Sequence, residues 1–256
     1  MRKNIFAMLL SLTLLAGFSS SLMAAIEFEV GGGWHQMNPS GNLQNKGTTA
    51  LDVKTNLGYD TINVFTGRVR AEFPIPFVPN VLASILPMKF EGNGMMTAPF
   101  QFGDKTFVAN VPFSSTLQLD SYDLCLFYNI PFVKALSQGR VNASLGLNTR
   151  TFNFKSEINQ PGGPGLESKS MTIPVPMAFV GLYIKPLSRL SLDAELKTMA
   201  YNSNSFIDAT FRAKIKVFSV IFVSGGYKIQ TIKIDQDGYK GDITFGGPTA
   251  ELGISF

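Results

Sequence analysis

From residue 26 onward the apolar side chains recur with a period of two, and this spacing constrains the fold more than any other feature. Ile26, Phe28, Val30 and Trp34 share one side of an extended segment, and Glu27, Glu29 and His35 share the other. Successive side chains of a strand point to opposite faces, so the pattern marks a strand with one apolar and one polar face. The division returns at 65–73, where Phe65, Val69, Ala71 and Phe73 oppose Arg68, Arg70 and Glu72, and again at 141–150, 190–197, 207–217 and 249–256. Less regular strands are expected at about 81–90, 116–128, 172–185 and 220–233, and Pro174 and Pro176 leave the faces of the third of these ambiguous. The total is about ten, an even number as single-chain bacterial barrels require.

The connections are sorted by length. Long polar gaps (36–60, 91–115, 155–171, 202–205, 234–242) alternate with mostly shorter ones (74–80, 129–139, 186–189, 218–219). Long loops on one rim and short turns on the other predict an all-β, transmembrane, antiparallel up-and-down β-barrel. Both termini are then periplasmic and the outer loops mobile. After the N-terminal segment no apolar run approaches the ~18 residues of a membrane helix, so a helical membrane protein is excluded. A soluble periplasmic β-sandwich is the rival fold.

Residues 1–24 carry Arg2 and Lys3, an apolar stretch from Ile5 to Phe18, and small residues around Ala24 and Ala25. That order predicts a secretory signal peptide cut after Ala24 or Ala25, leaving a barrel domain at 25–256. No cysteine follows the cut, so lipid anchoring is unsupported. Only 16% of the residues are charged, against about a quarter in soluble domains, while the 45% that are hydrophobic exclude disorder. One Cys and one His exclude a zinc cluster or disulfide framework. Without Arg2 and Lys3, 20 bases face 18 acids, a near-neutral balance that excludes a nucleic-acid partner. The chain stops on Leu252, Ile254 and Phe256, an alternating strand ending on an aromatic residue. This ending looks like the signal read by the barrel-assembly machinery. The expected partners are therefore that machinery and periplasmic chaperones during biogenesis, then outer-membrane lipid and lipopolysaccharide.

Several segments narrow the reading: Gly33-Trp34-His35-Gln36 with Pro39-Ser40-Gly41, Arg70 through Asn80, Ser121-Tyr122-Asp123-Leu124, Pro174-Val175-Pro176-Met177, and Gly247-Pro248 through Phe256. Together they resemble a family of small Gram-negative outer-membrane β-barrel proteins of uncharacterised function. The resemblance implies the barrel fold and carries no activity with it. A more basic lumen is the one departure from the family pattern.

With the apolar faces toward lipid, the polar faces line the lumen with Glu27, Glu29, Arg68, Arg70, Glu72, Arg150, Asp193, Glu195, Lys197, Arg212, Lys214, Lys216 and Lys228. Unpaired charges in a narrow barrel are costly, so opposite signs should meet. A turn centred between Ser203 and Asn204 would set Asp193 opposite Lys214 and Glu195 opposite Arg212. Two readings stand: a salt-bridged interior that holds the barrel's shape, or the selectivity lining of a thin pore. Phe28, Trp34, Phe73, Tyr122, Tyr128, Tyr227 and Phe256 fit two aromatic girdles at the membrane interfaces. Residues 160–165 read as a flexible surface loop, and Cys125 as a small buried or lumen-facing residue. His35 lacks a nearby nucleophile and carboxylate pattern, so neither a catalytic residue nor a metal or cofactor is expected. The leading expectation is a porin-like, narrow channel for ions or small polar solutes. The alternatives are a closed structural or surface-interaction barrel and, last, a hydrolase using His35.

Overall fold

The computed structural model describes residues 26–45, 50–75, 77–236 and 239–256. The expected signal peptide and its cleavage site lie outside them. Ten staves form a closed antiparallel wall. The first is β1 (Glu27–Asn45), which pairs with β14 (Tyr239–Ser255) to close the barrel and with β3 (Ile62–Glu72) on its other side. Next come β4 (Asn80–Leu86) and β5 (Lys89–Gly94), which are one stave: Leu86 faces Ser121 and Lys89 faces Gln118 in unbroken register. The break falls at Pro87, which has no N–H to give the ladder, while Met88 still accepts the Leu119 N–H at 2.8 Å. Then follow β8 (Phe113–Asn129), β9 (Val141–Gln160), β10 (Gly165–Ile184), β11 (Leu190–Tyr201), β12 (Asn204–Lys216) and β13 (Ile221–Gln236). Three short strands lie off the wall: β2 (Leu51–Asp52) against β1, and the hairpin of β6 (Phe100–Phe102) and β7 (Lys105–Phe107). One short helix, α1 (Pro131–Leu136), sits between β8 and β9 and starts on a proline at its first turn.

Both ends of the described chain lie at one rim, the terminal rim, with the connections 73–79, 130–140, 185–189 and 217–220; the expected sorting by length does not hold, because the opposite rim carries the tight turns 161–164 and 202–203. From that rim the outward side chains form an apolar band, bounded at its lower edge by Phe28, Phe73, Tyr128 and Phe256 and at its upper edge by Trp34, Tyr122 and Tyr227. The band is seven to nine residues tall on each stave. At about 3.3 Å per residue and a ~40° tilt that is roughly 20 Å, close to the ~25 Å apolar height of an outer-membrane barrel.

Above the band the strands do not end in loops, as 36–60 and 155–171 were expected to. β9 and β10 run on for 20 residues each and meet in a turn at 161–164, with positive φ at Gly162 in the turn and at Gly165, the first residue of β10. The glycine-rich segment 160–165 is thus a tight hairpin end rather than a flexible loop. These segments read as polar loops because the apolar residues change phase. On β8 the even residues Tyr122, Leu124, Leu126 and Tyr128 face outward, but beyond Ser121 the odd residues Phe113, Leu117 and Leu119 are apolar and face inward. β1 shifts from Trp34 to Met37, β9 from Leu147 to Phe152 and Ile158, and β14 from Ala250 to Phe245 and Ile243. The other staves do likewise. Where the wall meets lipid its interior is polar, and where it meets water the interior must be apolar to fold.

Candidate functional site

The lower lumen is a charge lattice in two tiers. Nearest the terminal rim, Arg68 grips Glu195 from across the barrel through both guanidinium ends, at 2.8 and 2.5 Å, and Arg70 bonds Glu72 at 2.7 Å. Arg212 reaches Asp193 and Glu251 at 3.1 Å and Glu195 at 3.3 Å. Lys214 meets Glu29 directly and Asp193 at 3.6 Å. In the tier above, Arg150 forks onto Asp123 at 2.7 and 2.6 Å and also bonds Asp208, with its guanidinium over the rings of Phe152 and Phe206. Lys197 adds a bond to Asp123 at 2.9 Å, Lys228 pairs with Asp208, and the Asn148 amide donates to Asp123 at 2.9 Å. Seven acids (Glu29, Glu72, Asp123, Asp193, Glu195, Asp208 and Glu251) balance seven bases (Arg68, Arg70, Arg150, Lys197, Arg212, Lys214 and Lys228). A charge that gains low-dielectric burial needs such a partner, and Arg150, only 1% exposed, has two.

Above the lattice the lumen is filled by an apolar plug. The chain after β2 folds inward over the inner face of β5. Three glycines allow backbone to lie on backbone there: a Cβ on Gly92 would stand 2.2 Å from the Leu57 carbonyl oxygen, one on Gly94 2.1 Å from that of Asn56, and Gly58 has φ +72 against Asn93. Asp52 nucleates this turn by accepting the Thr55 and Lys54 N–H groups at 2.7 and 2.9 Å. Those bonds, led by the one from the Thr55 backbone, hold its carboxyl below the usual range. Ser115 donates its hydroxyl to Leu57 at 2.8 Å. Phe90 stacks on Phe245 at 5.2 Å and Phe100 on Phe107 at 5.1 Å, with Met37, Met88, Leu117 and Ile158 filling the spaces between. The Gln160 amide ties the hairpin of β6 and β7 to the wall, bonding Val108 through both its ends and Val111, each at 2.9 Å.

Below the lattice a cavity of about 330 Å³ opens at the terminal rim, lined by Glu29, Arg68, Arg70, Tyr183, Asp193 and Lys214 among others. The bridged pair Arg68 and Glu195 forms part of its wall.

Of the residues expected in the lumen, the structure brings all but two into the lattice. Glu27 is an exposed rim residue 3.7 Å from Lys134, and Lys216 stands at the cavity mouth. The register of β11 and β12 is shifted by two residues from expectation: Asp193 faces Arg212, Glu195 faces Thr210 and Lys214 faces Ser191. The turn is Asn202-Ser203, with Asn202 at positive φ, the conformation that asparagine tolerates best. A two-residue shift keeps every side chain on its face, which is why the charges still pair.

Sequence reading missed Asp123, Asp208 and Glu251, although each holds the inward parity of its strand. It missed the plug altogether, and the phase change was the signal available for it. Phe28 stacks on Phe256 at 5.9 Å, and Tyr122, Tyr128 and Tyr227 face outward about half-exposed. Trp34 lies opposite Phe65 on the outward face of β1, and Phe73 follows β3 at the terminal rim. Cys125 is buried inward beside Leu82, Phe127 and Phe179. His35 faces the lumen with no partner at Nδ1, and among the described residues no group of His, Cys, Asp and Glu could hold a metal ion.

No family model and no curated protein matches the chain. Solved structures do. The outer-membrane protease OmpT of Escherichia coli aligns with a TM-score of 0.53 at 9% identity, over 89% of this chain and 97% of that one. The attachment invasion locus protein Ail of Yersinia pestis aligns at 0.38 and 12%, over 88% and 98%. Neisserial surface protein A aligns at 0.33 and 10%, over 90% and 97%. At these identities the likeness is one of fold. With its closed ten-stave wall and outward apolar band, the chain has the fold of a small outer-membrane β-barrel.

Proposed function

We propose that this protein is a closed, non-enzymatic outer-membrane barrel that holds a rigid protruding surface on the outer face, with its terminal rim in the periplasm. The observation that carries this reading is the double occlusion of the lumen. Arg150 and its two carboxylate partners cross the barrel in one tier, and Phe90 and Phe245, both fully buried, fill it in the next. A passive pore needs a continuous water path, and barrels near this strand number are filled by side chains. The long upper halves of β8, β9 and β10 then supply the contact surface, stiffened by their own ladder and by the plug behind them. Hydrolysis at His35 gains no support, since Nδ1 meets neither hydroxyl nor carboxylate.

Liposome swelling tests the reading. Vesicles carrying the folded barrel should swell in small sugars and amino acids no faster than empty vesicles. Faster swelling, graded by solute size, would return the protein to the channel class.

A further inference from the structure

The terminal rim combines two features that the barrel's closure does not require. Each of its connections presents a large apolar side chain to the outside: Phe77 is 94% exposed, Leu136 on α1 is 87% exposed, and Phe132, Leu187 and Phe218 are also mostly exposed. Two of these connections carry Lys134, Arg140, Lys185 and Arg189, and Lys216 ends β12 at the same rim, against Glu27 as the acid outside the lattice. The backbone sets these bases side by side, because the Lys185 N–H bonds the Arg140 carbonyl at 2.7 Å and the Lys216 N–H bonds that of Arg189 at 2.9 Å. The lumen is charge-balanced, so the rim is where the described residues hold their excess of positive charge.

From this we infer that the terminal rim is a docking ring for anionic phospholipids of the periplasmic leaflet, with the exposed apolar residues in the acyl boundary and the bases on headgroup phosphates. The inference rests on the periplasmic placement of this rim proposed above. Lipid is the occupant that fits, because no polar collar separates the apolar band from the turns. The outward face passes from Phe28, Phe73, Tyr128 and Phe256 straight to Phe77, Phe132 and Phe218. The strand part of the band, at roughly 20 Å, is a few Å short of the usual ~25 Å, and the turn residues make up the difference. Lys and Arg beside such residues extend their charged ends to the headgroups.

The test uses brominated lipids as quenchers of a tryptophan placed on the ring. In a Trp34→Phe background, Leu136→Trp gives one reporter at the rim, and the barrel is refolded and checked by its heat-modifiable gel mobility. Brominated phosphatidylglycerol should quench this reporter with about fivefold preference over brominated phosphatidylcholine. The preference should fall toward unity in 0.5 M salt, and also when Lys134, Arg140, Lys185 and Arg189 are changed to Gln. Equal quenching by the two lipids, or a preference that survives the Gln changes, overturns the charge half of the inference. No quenching by either lipid overturns the docking ring itself. If the fourfold variant does not fold, the Arg140→Gln and Lys185→Gln pair gives the same comparison. Failure of the underlying orientation is read separately: an Leu136→Cys thiol that an impermeant maleimide labels in intact cells would place this rim outside, whatever the lipid preference in vitro.

Discussion

Arg150 shows what a single buried charge demands of its surroundings. It lies over two aromatic rings with two carboxylates on one guanidinium, and both carboxylates are themselves shared with lysines, Asp123 with Lys197 and Asp208 with Lys228. Removing one member of a buried network leaves the others uncompensated, so Arg150→Met should cost about 3–5 kcal/mol of folding stability. Urea unfolding in detergent, followed by gel mobility, measures it. The exposed pair of Lys89 and Glu91 is the contrast: Lys89→Ala should shift stability by less than about 1 kcal/mol although that pair is equally short, at 2.5 Å. Asp52 gives a pH dependence. Its folded carboxyl lies below its unfolded value, so its contribution to the inward turn is present above the unfolded pKa, about 3.9, and is lost as pH falls through the lower folded value. Hydrogen exchange of the 53–59 amides should therefore hold steady from neutral pH down to about 4 and lose protection only below it. An Asp52→Asn variant should show no such acid step.

At the scale of the element, the inward turn depends on bare backbone. Gly92→Ala drives a Cβ into the Leu57 carbonyl, an atom that cannot yield without moving the turn, whereas Gly32→Ala meets nothing within 4 Å. Limited proteolysis of the folded barrel should cut 53–58 faster in the first variant and at the wild-type rate in the second. β10 shows how a strand can be legible in residues and illegible in partners. Pro174 and Pro176 obscured its faces, yet both fit, because β10 pairs with β11 only from Ala178 onward and its upper half has β9 alone as a neighbour. The lower halves of the staves were readable because one face met lipid and the other charge, a contrast that a period-two search detects directly. The upper halves were not, because residues such as Met37, Ile158 and Phe245 change parity where the surroundings change from lipid to water. A reading that carries one phase along the whole strand takes the reversal for a loop. The register of β11 and β12 was off by two because the position of a turn cannot be fixed from face pattern alone, which repeats every two residues.

For the molecule as a whole, the wall encloses two interiors of opposite kind. A balanced lattice fills the membrane-spanning half, and an aromatic and aliphatic plug fills the protruding half. Each is what its surroundings require. On the proposed reading the protein's activity lies on its surfaces, one protruding outward and one ringed by bases and phenylalanines, rather than along its axis. The most direct measurement is single-molecule conductance of the folded barrel in planar bilayers, recorded in the wild type and in Arg150→Ala. The account predicts a silent wild type and, because the plug remains, a variant that is also silent though less stable. Discrete, reproducible steps from the wild-type barrel, altered in size by the Arg150 change, would contradict it and make the lattice the lining of a channel.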